Sequence, residues 1–543
     1  VKFPAVFVLA LAVLVTACQP QVSRPPCPDG KVCLAWGNNT EAGSLDPQKA
    51  TLVDEAAIIG DLFTGLFTDS PESKPLPALA KSYSVSADGL TWTFRLRPST
   101  WSDGRPVTAN DFVFAYRRIL DPATASSYAY LLYLIHNGQP VNEGRAGPET
   151  LGVRAVDDLT LELRLEHPAP YLPALLKHQS FFPVPAHVVR AHGEAWTRPE
   201  NFVGNGAFRL LDWKLGDHIR VVKNPAFYDV ASVCVDQIDY FPTPDSVMAE
   251  RRVARGELDL NTNFQSSRVQ RLRDTLPGFV RTYPALATSY IALNTEGVPA
   301  FRDIRVRRAL SMGVDRDFIT AKLMRAGQTP AYSFVPPTTA GHGEGVRLKW
   351  AGMPFSERQV VARQLLAEAG YGPERPLSVE IKVSNSPDNL LLSQAVAADW
   401  TALGLKVSTV QNEGQIAFAA YRQKDFQVGM MSWYADFNDP LTFLGLFRSD
   451  TGQQNYSAYA DPRYDALLDR ADLEPDSRKR AKLLAEAEQL MLDEEGTLPV
   501  FQVVSRALVS PRVTGWTDNV ENFHRARWVC VKPGTVGVTP GQH

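Results

Sequence analysis

The sequence predicts an α/β protein of two or three domains, and three observations carry that expectation. At 543 residues the chain exceeds what one hydrophobic core ordinarily fills. Residues 80–240 read as β-rich, whereas from Ile304 onward helical periods alternate with short strands. Cysteines are spread from one end of the chain to the other. If Cys33, Cys234 and Cys530 are neighbours, the start, middle and end of the chain meet in one domain.

Taken in order, Lys31–Trp36 reads as a strand and Asp54–Phe67 as a helix with Ile58, Leu62 and Leu66 on one face. Leu90–Leu96 alternates with period two, as a half-buried strand does. Thr108 caps a helix over Asn110–Leu120, and Leu159–Leu165 is a second alternating strand that pairs with a neighbour through the Asp157-Asp158 turn. Gly204–Leu210 and His218–Val222 read as turn, strand, turn, strand. Gly204-Asn205-Gly206 lacks the Gly-Lys-Ser/Thr of a phosphate loop and reads as a tight turn. Ile304–Leu323 predicts one helix stopping near Gly327. Ser356-x-x-Gln359 predicts a capping box opening a helix that ends at Gly370. Strands Ser378–Val383 and Leu405–Val410 flank a helix at Asn389–Leu403, and a charged helix runs from Ser477 to Glu495.

Composition narrows the function. A hydrophobic content of 44% and a charged content of 21% are ordinary for a globular protein, and a net charge of -3 argues against a nucleic-acid partner. The cationic cluster Arg302–Arg308 reads as the wet face of a helix. Lys2, the apolar run Pro4–Val15 and Thr16-Ala17-Cys18 describe a secretory signal too short to span a membrane. Val15–Cys18 resembles the lipobox of bacterial lipoproteins, which makes Cys18 the lipidated residue, 1–18 the signal peptide and 19–30 a tether. Beyond Cys18 there are four cysteines, Cys27, Cys33, Cys234 and Cys530, which predict two disulfides with three open pairings. No C-x-x-C, G-x-S-x-G, H-E-x-x-H or Walker lysine motif occurs, and His187 and His192 read as residues of a solvent-facing helix. No metal, cofactor or catalytic residue is expected.

The stretch that carries chemistry is Met430–Leu444. There Asp436 lies among Trp433, Tyr434, Phe437 and Phe443, following a strand at Phe426–Ser432. An ionised Asp is costly to bury alone, and aromatic walls suit it to await a cation such as a peptide ammonium. An Asn/Asp/Pro turn is the plainer reading of the same residues.

Several stretches together resemble the bacterial extracellular solute-binding proteins of family 5. They are Leu96–Phe112 with its Trp-Ser-Asp-Gly turn, Val203–Phe208 followed by Lys223–Tyr228, Arg255–Asp259 and Phe301–Leu310, in order along the chain. Trp433–Pro440 and Ala331–Pro337 place the resemblance nearest the oligopeptide-binding branch. The resemblance implies a periplasmic-binding-protein type II clamp of two lobes and three domains. A discontinuous domain (31–62, 186–285 and 500–532) and an inserted β-rich domain (63–185) would form one lobe, and 286–499 the other. It implies that Asp436 holds a peptide ammonium and that the peptide backbone pairs near Thr51–Val53 and Tyr434–Asp436. Trp433, Tyr434, Ala435, Tyr290, Tyr128, Val53 and Asn263 would complete the ligand site. Met430 and Met324 stand where basic residues would read a peptide carboxylate. Ala287 and Tyr434 stand where some relatives carry a cysteine pair. The implied partners are short peptides and the permease subunits of an ABC importer, with a monomer lipid-anchored on the periplasmic side of the envelope. The alternatives are a non-peptide solute in the same clamp, a periplasmic chaperone or peptide sensor, or an enzyme on this scaffold. A waiting Asp436 disfavours neutral sugars, and scattered His and Met disfavour free metal.

Overall fold

The computed structural model describes residues 27–342 and 345–532. The signal segment with Cys18, and residues 19–26 of the expected tether, lie outside them. The backbone of the molecule is an 11-stranded mixed sheet. From one edge its strands run Lys406–Asn412, Ser378–Ser384, Val428–Tyr434, Val280–Leu293, Leu498–Val509, Leu260–Asn261, Cys33–Gly37, Gln237–Phe241, His218–Lys223 and Phe208–Lys214. Thr329–Pro330 pairs to one side of Leu498–Val509.

Two large hydrophobic cores share this sheet. One gathers residues from Leu34 to Leu260 with Ala507–Val531, and the other lies within Ala285–Val503. Of the long paired strands Val280–Leu293 and Leu498–Val509, the second contributes side chains to both cores. Their antiparallel register slips between Pro284 and Thr288 and again between Ser289 and Tyr290. Such irregularities bend the strand locally and increase its twist. Phe437 is the fully buried exception among the described residues, with partly buried Leu441 beside it. Phe437 comes from the second segment yet packs in the first core, stacked on Tyr171 at 5.4 Å.

The β-rich region forms a separate four-stranded antiparallel sheet, in the order Ala80–Val85, Thr91–Leu96, Thr160–Arg164, Val153–Asp157. Asp157 turns the last pair by accepting from the Leu159 amide at 2.9 Å. Thr108 caps the helix Ala109–Leu120 in a box with Asp111. Disulfides join Cys27 to Cys33 and Cys234 to Cys530. Cys33 faces Gln237 in the adjacent strand, so start, middle and end of the chain do meet.

Four expectations are corrected. The first helix is Val53–Leu62, not Asp54–Phe67. Asn205 grips Thr64 through both backbone groups at 2.9 Å, and the Gly206 amide donates to the Leu62 carbonyl. The Gly204-Asn205-Gly206 turn therefore clasps the helix end, and a Cβ on Gly206 would lie 2.4 Å from the Asp61 carbonyl oxygen. The helix expected over Ile304–Leu323 ends at Met312 and restarts at Arg316, because the Asp315 carboxylate caps the Phe318 amide at 3.0 Å. Ser356 does not cap its helix, which begins at Phe355 after Pro354. The Arg302–Arg308 cluster is not an idle wet face. Arg307 and Arg308 donate to the carbonyls of Glu494, Glu495 and Asp493, closing the C-terminus of the helix Ser477–Asp493.

Candidate functional site

The strand Val428–Tyr434 delivers Asp436 to the seam between the two cores. Its neighbour Val280–Leu293 pairs along its whole length, whereas Ser378–Ser384 on the other side pairs only as far as Met430. From Met431 to Tyr434 that second edge is open. The loop that follows is locked from within. The Asp436 amide donates to the Thr442 hydroxyl at 3.0 Å, Asp439 caps Leu441 at 3.0 Å, and Arg480 binds both Asp439 oxygens at 2.7 and 2.9 Å. The Asn/Asp/Pro turn and the binding-site candidate are thus one structure.

The Asp436 side chain is buried. Tyr130 donates its hydroxyl to Oδ2 at 3.3 Å, and His178 Nε2 lies 4.0 Å from Oδ1. Burial pushes Asp436 up to about 7, against the opposing pull of hydroxyl donors from Tyr130, Tyr128 and Thr442. His178 is not a counter-charge: burial, with Arg525 nearby, pushes it down to about 3 and keeps it neutral. The cations behind it are already spent. Lys177 is held by Asp69 at 2.9 Å and by Glu521, and Arg525 by Asp69 at 2.7 Å. Asp436 is therefore a buried acid with hydroxyl donors and, among the described residues, no cation of its own.

A cleft of about 270 Å³ opens in front of it. Tyr128, Val53, Tyr290, Trp433, Tyr434 and Ala435 all line it, as does Asp436. Val53 is exposed at the start of its helix, and Tyr290 is buried against Phe334 at 5.2 Å. Asn263 is the exception: it is exposed and lies outside the lining, its carbonyl accepting from the Asn261 side chain. Met430 and Met324 are core residues, each 1% exposed, and Met431 is the methionine that faces the cleft. Ala287 and Tyr434 are direct cross-strand partners, the placement a cysteine pair there would need.

Sequence reasoning missed Tyr130, His178, Tyr456 and Arg422. Arg422 ends the helix Gly414–Arg422, lines the cleft and forms no ion pair among the described residues. The Tyr128-Ala-Tyr130 repeat was the one signal available in the sequence. His178 and Arg422 reach the site only through the fold.

The description "Bacterial extracellular solute-binding proteins, family 5 Middle" matches residues 74–455. The chain belongs to that family. Its fold is the type II periplasmic-binding-protein clamp, two lobes closing on a cleft. Across 91% of its length it is 37% identical to the periplasmic oligopeptide-binding protein OppA of Salmonella typhimurium, covering 92% of that protein. It is 35% identical to the probable deoxycholate-binding periplasmic protein YgiS of Escherichia coli, with 89% of this chain and 90% of that protein covered. The solved Escherichia coli murein tripeptide binding protein MppA superposes with a TM-score of 0.88 at 34% identity, over 93% of this chain and 99% of that one. Against MppA in its unliganded open form, matched over 92% of this chain and 98% of that one, the score falls to 0.71 at the same identity. The lobes of this family 5 chain are thus arranged more like the former.

Proposed function

We propose that this protein captures short peptides between its lobes and delivers them to the permease of an ABC importer on the periplasmic side of the envelope. The observation that carries the reading is Asp436, a buried carboxylate without a cation at the mouth of an open strand edge. A peptide α-ammonium supplies the missing charge. The pairing edge is Ser432–Tyr434 rather than Tyr434–Asp436. The amides of Ala435 and Asp436 are taken by the Leu286 carbonyl and by Thr442. By the alternation of an antiparallel pair, Ser432 and Tyr434 then point their backbone groups away from Val280–Leu293 and into the cleft. On the opposite wall, the Thr51 and Leu52 amides are held by Glu55 at 2.8 and 3.0 Å, which leaves the helix-first Val53 amide as the donor there. Backbone pairing reads no side chains and permits broad specificity. Arg422 would receive the far carboxylate, in place of the basic residues absent at Met430 and Met324.

The lobes we assign are 31–62, 186–285 and 500–532 with the insert 63–185, closing against 286–499. Cys18 would carry the lipid anchor, which detergent phase partition of the wild type and Cys18→Ser would test. The deoxycholate-binding relative supports a second reading, an amphipathic non-peptide solute against Trp433 and Tyr434. Such an anion has no partner at Asp436, which favours the peptide. Calorimetry with a short unmodified peptide and its N-acetyl form separates the two. Removing one partner of a buried ion pair costs about 3–5 kcal/mol, out of about 8 for a micromolar ligand. Asp436→Ala and N-acetylation are each expected to abolish measurable binding. Equal affinity for both peptide forms would overturn the assignment.

A further inference from the structure

A second cavity, of about 340 Å³, meets the peptide cleft at one residue only, Asp436. It too spans the seam between the lobes. Tyr130, Tyr133 and Tyr171 come from one side, and Phe437, Gly445, Asp450 and Asp472 from the other. Its walls are aromatic and leucine-rich, with acceptors set at separate tyrosines: Asp436 beside Tyr130, Asp450 beside Tyr133, Asp472 beside Tyr171. Two of these carboxylates have unspent capacity. Asp450 forms no hydrogen bond or ion pair among the described residues. Asp472 gives one oxygen to Arg448 and keeps Oδ1 buried without a partner. Arg448, the lining guanidinium, is consumed by Asp472 and Asp469, and His167 is the remaining basic group. At Gly445 the backbone is helical, with φ -57. A Cβ there would meet nothing within 4 Å, so the absence of a side chain leaves the cavity open where nothing in the backbone requires glycine.

We propose that this cavity is a second ligand site, for a small organic diammonium compound such as an alkyl diamine. One ammonium would sit on Asp436 and the other on the unpaired carboxylate of Asp450, with the alkyl body against Tyr133, Tyr171 and Phe437. Aromatic faces attract ammonium groups as well as alkyl chains. Because Asp436 is common to both compartments, diamine and peptide compete for one carboxylate although their bodies occupy different spaces. The site thus lets a free amine gate peptide capture.

The test is calorimetric titration of 1,5-diaminopentane into the full chain freed of bound peptide, with the peptide titration run alongside. Saturable diamine binding is expected in the wild type. Gly445→Phe, which fills the cavity, should weaken diamine at least about tenfold while peptide affinity stays within about twofold. Asp450→Asn should weaken diamine about threefold, as loss of one exposed ion pair does. That exposed substitution decides the matter should Gly445→Phe fail to bind peptide. Absence of saturable diamine binding, or diamine binding that neither variant changes, overturns the proposal and leaves the peptide reading untouched.

Discussion

If Asp436 receives an ammonium, peptide capture must be pH-dependent in a defined direction. In the empty protein burial holds this carboxyl at about 7. Its facing groups, Tyr128, Tyr130 and neutral His178, add no compensating positive charge. Because the folded value lies above the model-compound value of 3.8, protonation favours the empty folded state. That contribution to stability is complete below about pH 3.8 and is lost as pH rises through about 7. An ammonium ligand reverses the preference, because it needs the ionised form. Binding at acid pH must first expel a proton, and affinity falls about tenfold for each pH unit below about 7. Between about pH 8 and pH 5 the loss is on the order of 100-fold, or about 2.7 kcal/mol. Calorimetry in two buffers of different ionisation enthalpy reads both the affinity and the proton released. At about pH 6 close to one proton should leave per peptide bound. Asp436→Asn should bind weakly and with no proton release. A wild-type affinity that is flat from pH 5 to pH 8, with no buffer-dependent heat, would refute the reasoning.

Arg422→Gln should weaken peptides with a free C-terminal carboxylate about tenfold, a loss of about 1.4 kcal/mol, and leave C-terminally amidated peptides unaffected, as parallel titrations would show. Phe437→Ala removes an aromatic anchor from the opposite lobe's core, an exchange that costs about 3–5 kcal/mol in a packed interior. Small-angle scattering of the unliganded variant should give a larger radius of gyration than the wild type, and saturating peptide should restore it. Asn205→Ala leaves the buried Thr64 amide and carbonyl without partners, at about 1–3 kcal/mol for each group. Its urea midpoint should fall markedly while Asn205→Asp, which keeps an acceptor, recovers part of the loss.

The amino-acid order alone determined the elements whose signal is local. Alternation at Leu90–Leu96 and Leu159–Leu165, and the cap at Thr108, fix strands and a helix through side-chain period and a hydrogen bond three residues away. Trp433–Pro440 likewise marked its Asp by its aromatic company. Two of the errors fell where distant groups overrode local preference. The first helix stops short because Asn205, 141 positions from Thr64, claims the next backbone groups. The Arg307 and Arg308 charges are spent on carbonyls about 185 positions away. Only the tertiary structure decided that Asp436 has no cation among the described residues, since that depends on neutral His178 and on Lys177 and Arg525 being satisfied elsewhere. It also brought Arg422 into the cleft, paired Cys234 with Cys530 across 296 positions, and placed a second cavity against the same carboxylate. Burial and counter-charge are properties of what surrounds a residue in space, and a sequence states only what adjoins it along the chain.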